Sequence, residues 1–293
     1  MELRVLKYFI AVVNEENITK AAQSLHISQP ALSRQLKELE EELNVKLFIR
    51  GKRQITLTPS GTFLFKRARE MLTLADKTVN NLMNTDNLMG DLYVGAGETP
   101  IMRVVAKLAK KLLVMSPDIH LHFYSANADD IIERLNTGIL DFGLVIDPVN
   151  KKNFDFIRLP GQTLWGVLLR KDDPLAAKAW IEPTDLKGKP LIISQQSFVN
   201  SQIASWFGQT IENSQIVATY NLLYNASLLV EEKIGYAICF EGIINTSGNS
   251  NLKFVPLKSE EPLFMNLIWK KNASLSRVAQ AFINQVHQLN QPN

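Results

Sequence analysis

Apolar residues recur at helical spacing along the first forty positions. Leu3, Leu6, Phe9, Ile10 and Val13 make a stripe that predicts a helix from Leu3 to Asn14. Thr19 is the expected N-cap of a second, short helix carrying Ala21, Ala22 and Leu25. Ser28 caps a third, with Pro30 in its first turn, where a missing N–H costs little. Ile27, Ala31, Leu32, Leu36, Leu39 and Leu43 form the expected core face of that helix. The run from Leu47 to Thr58 reads as a strand, a basic turn and a second strand. From Thr62 to Met89 there is neither proline nor glycine, and Leu64, Ala68, Met71, Ala75, Val79 and Leu82 repeat at spacings of four and three. This predicts one helix, roughly 40 Å long, with a coiled-coil-like seam.

Beyond Asp91 the pattern alternates between short β runs and amphipathic helices. Strands are expected at Leu92–Ala96, Ile119–Tyr124 and Phe142–Ile146, separated by helices at Ile101–Met115 and Asp129–Asn136. That order implies a parallel sheet flanked by helices. A second series follows, with strands beginning at Gly166, Leu191, Ile216 and Tyr236 and helices at Ser201–Gln209 and Asn225–Lys233. Leu263–Trp269 reads as a strand returning to the first series, and Ser274–Leu289 as a closing helix.

Two short helices joined by a tight turn, the second opening on Ser28-Gln29-Pro30, form the layout that places one helix in the major groove of DNA. Gln29, Ser33, Arg34 and Lys37 lie opposite the apolar face. Gln can bind adenine edges, Arg guanine, and Ser and Lys phosphates. The hairpin tip Arg50-Gly-Lys52-Arg53 fits a wing against the backbone or minor groove. Charges on an isolated helix are ordinarily a solvated face. The coincidence of turn, cap and basic wing is what favours groove contact.

Charge sharpens this picture. The net charge of +3 over 293 residues is small, but Met1–Met89 holds 13 Lys and Arg against 10 Asp and Glu, while the remainder balances at 19 each. The whole excess accompanies the helix-turn-helix, where counterion release responds to it. The first residues read as a structured helix rather than a signal peptide, and no apolar run approaches the ~18 residues of a membrane span. The single cysteine, Cys239, sits in the apolar run Tyr236–Phe240, so a buried structural thiol in a reducing cytoplasm is expected. No nucleophile elbow, P-loop or dinucleotide fingerprint is present. His120 and His122 share one strand face without an obvious third metal ligand. An enzyme is therefore not expected.

Residues Leu3 to Gly61 resemble the N-terminal winged helix-turn-helix of the LysR-type transcriptional regulators. The strings that carry the resemblance are Leu6-Lys-Tyr-Phe-Ile-Ala-Val-Val, Ala21-Ala-Gln-Ser-Leu-His-Ile-Ser-Gln-Pro-Ala-Leu-Ser-Arg34, Leu39-Glu-Glu-Glu-Leu, Leu47-Phe-Ile-Arg50 and Leu57-Thr-Pro-Ser-Gly61. Asn44 departs from the glycine usual after Glu-Leu, but Asn tolerates the left-handed conformation of a helix C-cap. Leu135–Gly143 and Val230–Ala237 are similar, more loosely, to the family's effector-binding domain, which is akin to periplasmic binding proteins. The resemblance implies an N-terminal winged helix-turn-helix (1–58), a linker dimerisation helix (59–89) and a two-subdomain α/β effector-binding domain (90–293). Its first subdomain is expected at 90–161 with 268–293, and its second at 162–267. It further implies a cytoplasmic, sequence-specific regulator of transcription. Its expected partners are double-stranded promoter DNA, a small-molecule effector of unidentified chemistry, RNA polymerase and a second copy of the chain, assembling to a dimer and on to a tetramer. No cofactor or metal is implied.

Ligands of such folds bind outside the carboxyl ends of the strands. Gly97, Glu98 and Thr99 stand where a strand gives way to a helix, and Thr99 with free N–H groups would suit an anion. Glu98 pulls the other way, toward an amine or zwitterion, unless it points to solvent and complements its own helix dipole. Asn127, Gln195, Ser197, Asn200, Tyr220 and Phe240 are further candidates at predicted strand ends, each equally compatible with capping or packing.

Overall fold

The structure is a computed structural model. It describes residues 1–50, 55–83, 88–147, 151–196, 205–207, 215–258 and 262–289, with the backbone alone at Arg50, Asn80, Asn81, Met83 and Lys151. Two compact units divide the chain, Met1–Thr85 and Asp86–Asn293.

In the first unit, helices α1 (Leu3–Glu15), α2 (Ile18–Ser24) and α3 (Gln29–Leu43) pack with the hairpin β1 (Phe48–Arg50) and β2 (Ile55–Leu57) and with helix α4 (Pro59–Met83). Helix α1 buries Val5, Leu6, Phe9 and Val12, while Leu3 is half exposed, so the stripe is rotated from the one expected. The N-cap of α2 is Asn17 rather than Thr19. Its Oδ1 accepts from Thr19 N (2.9 Å) and Lys20 N (3.1 Å), because an Asn one turn-edge earlier satisfies two orphan amides at once. Ser28 caps α3 from its side chain, and Pro30 occupies the first turn. Ala31 is exposed, not in the core; the buried face is Leu32, Leu36, Leu39 and the carboxylate-bearing Glu40. Asn44 closes α3 at φ 52°, ψ 38°, in the left-handed region as anticipated.

Helix α4 starts three residues earlier than the sequence suggests. Thr58 Oγ1 accepts from Gly61 N (2.9 Å) while donating to Lys46 O, so Pro59 and Gly61 lie inside the first turn instead of before it. A Cβ at Gly61 would meet Leu47 O at 2.1 Å, which explains a glycine in a helix. At the other end the described helix stops at Met83, and Leu88 and Met89 are not helical. Leu64 and Ala68 are buried in the unit's core and Met71 packs against it, whereas Val79 and Leu82 are exposed.

The second unit has two lobes. The first lobe contains a five-stranded sheet in the order β4 (Ile119–Ser125), β3 (Gly90–Ala96), β5 (Phe142–Ile146), β12 (Met265–Lys270), β6 (Phe154–Arg158). The second contains β11 (Leu252–Pro256), β7 (Trp165–Arg170), β10 (Tyr236–Phe240), β8 (Leu191–Ser194), β9 (Ile216–Tyr220). Neither sheet is purely parallel: β12 runs antiparallel to β5 and β6, and β7 to β10 and β11. The antiparallel members include the strands that carry the chain between lobes. Helices α5 (Met102–Met115) and α8 (Arg277–Leu289) cover one face of the first sheet and α6 (Ala128–Asn136) the other. Helix α7 (Leu223–Glu231) packs on the second sheet. The two crossing segments bond to each other, Thr163 N to Leu263 O at 2.9 Å and Leu263 N to Thr163 O at 3.0 Å. Of the helix expected at Ser201–Gln209, Ser205–Phe207 are helical and the remainder lies outside the described residues.

Candidate functional site

The first unit presents the polar face of α3. Gln29, Pro30, Arg34 and Lys37 are exposed and Ser33 is half-buried, while Ser28 is occupied with the helix cap at 3.4 Å from Ala31 N. Arg34 Nε donates to Glu38 Oε1 at 2.8 Å, and Lys37 lies 3.4 Å from Glu41, so both cations carry a carboxylate one turn on. Glu40 is buried on the apolar side of α3. Its Oε1 accepts from Leu47 N at 2.7 Å and from Phe48 N at 3.3 Å, tying the end of α3 to the first strand of the hairpin. The signal for it was a glutamate on the apolar side of α3, a position that only a bonded carboxylate occupies cheaply. Lys52, Arg53 and the side chain of Arg50, the remaining wing candidates, lie outside the described residues.

In the second unit a cleft between the lobes holds about 70 Å³ of space. Its walls are the carboxyl ends of parallel strands: Gly97 and Glu98 after β3, Ala126–Ala128 after β4, Ser194 and Gln196 at β8, and Tyr220 and Asn221 at β9. Phe240, at the end of β10, and its neighbour Trp165 close one side, with ring centroids 4.0 Å apart. Of the candidates, Gly97, Glu98, Asn127, Tyr220 and Phe240 line the cleft. Thr99 and Gln195 do not. Thr99 Oγ1 is 3.3 Å from Ile101 N, and Gln195 turns its amide to Thr219 Oγ1 at 3.1 Å, while Ser194 and Gln196 on either side face the cleft. Ser197 and Asn200 lie outside the described residues. Trp165 and Met265 were missed, since their approach depends on how the two lobes meet and leaves no local pattern.

Glu98 neither points to solvent nor serves its own helix. It accepts a hydrogen bond from Leu223 N, at the start of α7 on the opposite lobe, where Leu222 offers no side-chain cap. Asn127 caps α6 through Oδ1 to Asp130 N (2.9 Å) and lines the cleft as well. Behind this wall Tyr220 donates to Ile238 O at 2.7 Å, and burial, then the neighbouring Cys239 and Glu98, push its hydroxyl well above the usual phenol range. Cys239 is buried, and burial raises its thiol to about 12. His122 bonds to Asp91 (2.7 Å) and stacks on Tyr93. No group of three or more His, Cys, Asp or Glu among the described residues could hold a metal ion.

A winged helix-turn-helix in one unit and a bilobal α/β cleft in the other define a DNA-binding protein with a ligand-receiving domain. Residues 3–62 match the family described as "Bacterial regulatory helix-turn-helix protein, lysR family", and residues 85–291 match the "LysR substrate binding domain". The chain belongs to the LysR family of transcriptional regulators, a family of regulators rather than enzymes. It is 29% identical over 278 residues to the Hca operon transcriptional activator HcaR of Escherichia coli (strain K12), spanning 92% of each chain. It is 33% identical over 156 residues to the HTH-type transcriptional regulator BenM of Acinetobacter baylyi (strain ATCC 33305 / BD413 / ADP1), about half of each (52% and 51%). In fold it is similar to the crystal structure of CbnR, a LysR family transcriptional regulator, with TM-score 0.75, 21% identity and 100% of both chains covered. Full-length CbnR complexed with its target DNA gives TM-score 0.73 at 22% identity, covering 99% of this chain and 100% of that one.

Proposed function

We propose that this regulator reads promoter DNA through α3, with Gln29, Ser33, Arg34 and Lys37 toward the groove and Ser28 and Pro30 setting the helix start. Arg50, Lys52 and Arg53 act as a wing on the backbone. A small-molecule effector occupies the cleft between the lobes and alters their relative angle, and that change alters operator binding. No cofactor takes part. Two copies join along α4, whose Val79 and Leu82 are exposed apolar positions, and dimers pair to a tetramer. The protein works in the cytoplasm, and RNA polymerase is a further partner. No described helix is long and apolar enough to cross a membrane. The observation carrying the DNA reading is the capped, exposed polar face of α3 in a unit that also holds the chain's whole positive excess.

The test is fluorescence anisotropy on the intergenic DNA beside the protein's own gene, with random DNA as control, over a salt series. Selective binding is expected, with log K falling by about 0.9 per neutralised phosphate for each decade of salt. Equal, weak binding to both DNAs would point either to a distant target or to an architectural role, which a genome-wide selection of bound DNA separates.

A further inference from the structure

Among the described residues that line the cleft one side chain is charged, and it is an anion. Among the described residues lining it Glu98 is accompanied by no Lys, Arg or His. A carboxylate ligand would therefore meet a carboxylate without a cation to offset it. The N-terminus of α7, the other feature that could receive an anion, already has the Glu98 oxygen on Leu223 N–H.

The remaining walls suit the opposite charge. Trp165 and Phe240 form a tilted aromatic pair on one side, Tyr220 contributes a third ring, and Met265 and Ile243 add apolar surface. Aromatic faces attract cations, and the attraction grows when water is excluded. Glu98 Oε2 is engaged with Leu223 N, and Oε1 has no partner among the described residues, so it can accept an N–H. The polar remainder (Ser194, Gln196, Asn127, Asn221) is neutral.

Resting on the reading of this cleft as the effector site, we infer that the effector is a small organic ammonium ion with an apolar body. Glu98 Oε1 accepts from its N–H₃⁺ group, and the Trp165–Phe240 pair receives the adjoining carbons. Glu98 is thereby the residue that sets effector charge. It also links the ligand to α7, because the same carboxylate spans ligand and second lobe.

The test uses the full-length protein and three probes of one shape: n-butylammonium, 1-butanol and butyrate, titrated by calorimetry. The ammonium ion should bind at least tenfold more tightly than the other two, about the worth of one charge-assisted hydrogen bond. In Glu98→Gln, which keeps an oxygen for Leu223 N–H and hence the cap, that preference should disappear while butanol binding stays. Phe240→Leu should weaken the ammonium ion more than butanol. Tighter binding of butyrate, or an ammonium preference that survives in Glu98→Gln, overturns the charge assignment and leaves the cleft an effector site. Binding of none of the three overturns the charge assignment, and if retained-ligand analysis of the purified protein is then also blank, the effector reading falls with it.

Discussion

Under the proposed reading of α3, Arg34 is the residue expected to read a base, and it is already engaged with Glu38. Its guanidinium is held by Glu38, one helical turn on, with both side chains largely in water (78% and 47% exposed). An exposed pair of this kind is weak, so DNA can take the guanidinium from Glu38. Glu38 then stands as an unpaired anion close to the phosphates. Two variants separate the terms. Arg34→Ala should lose roughly 1–3 kcal/mol on the operator and relax selectivity at one base, if the contact is to a guanine edge. Glu38→Gln should strengthen binding by about three- to tenfold at low salt, through removal of one like charge near the backbone, and on all sequences alike. Anisotropy on operator and random DNA reads both. A Glu38→Gln gain confined to the operator would mean instead that Glu38 positions Arg34 for its base.

Among the elements, α4 divides into two halves in different surroundings. Leu64 and Ala68 are buried within their own unit, and Met71 packs there too, so the first half belongs to the DNA-binding core. Val79 and Leu82 continue the same stripe but are 46% and 74% exposed. Leu82→Glu should therefore shift sedimentation at micromolar concentration from dimer to monomer while leaving the far-UV circular dichroism of the folded chain unchanged, as expected at a position exposed in the single chain. An unchanged dimer would move the interface elsewhere. The seam itself was legible in the sequence because periodicity survives in any environment. What covers it was not legible, because a core contact and a partner contact demand the same apolar residues. The same limit applies elsewhere. The helix-turn-helix could be read almost residue by residue, since caps and turns depend on neighbours in the chain. Asn17 displaced Thr19 as cap because two competent caps stood two residues apart. β6 and β11 leave no readable signal: Phe154–Arg158 and Leu252–Pro256 are only five residues long, do not alternate cleanly, and take their strand character from long-range pairing. Of the strand-end candidates, Gly97, Glu98, Asn127, Tyr220 and Phe240 line the cleft and Thr99 does not, while Gln195 for Gln196 is the slip that a period of two permits. Trp165 and Met265 arrive from the crossing segments, whose docking no local signal records.

At the scale of the whole chain, a single thiol reports on the unit that holds the cleft. Cys239 is the only cysteine, it is 2% exposed on the central strand β10, and burial raises its pKa to about 12. Both factors suppress thiolate chemistry, because the reactive species needs access and deprotonation together. With an aromatic disulfide reagent at pH 8 the native protein should release almost no thiolate, and one equivalent should appear on denaturation. Any slow native reaction then measures opening of the second lobe and not of the first unit. A ligand seated between Glu98 and the Trp165–Phe240 pair binds only the closed, folded lobe, so it should slow that reaction by the factor 1 + [L]/Kd, about a hundredfold at a hundred times Kd. Variants at Arg34 such as Arg34→Ala should leave the rate alone, whereas Glu98→Gln should cut protection by n-butylammonium about tenfold, to the level that 1-butanol gives. If the native thiol reacted as fast as a free one, β10 would not be the buried centre of its sheet. The cleft built on its carboxyl end would then lose one wall.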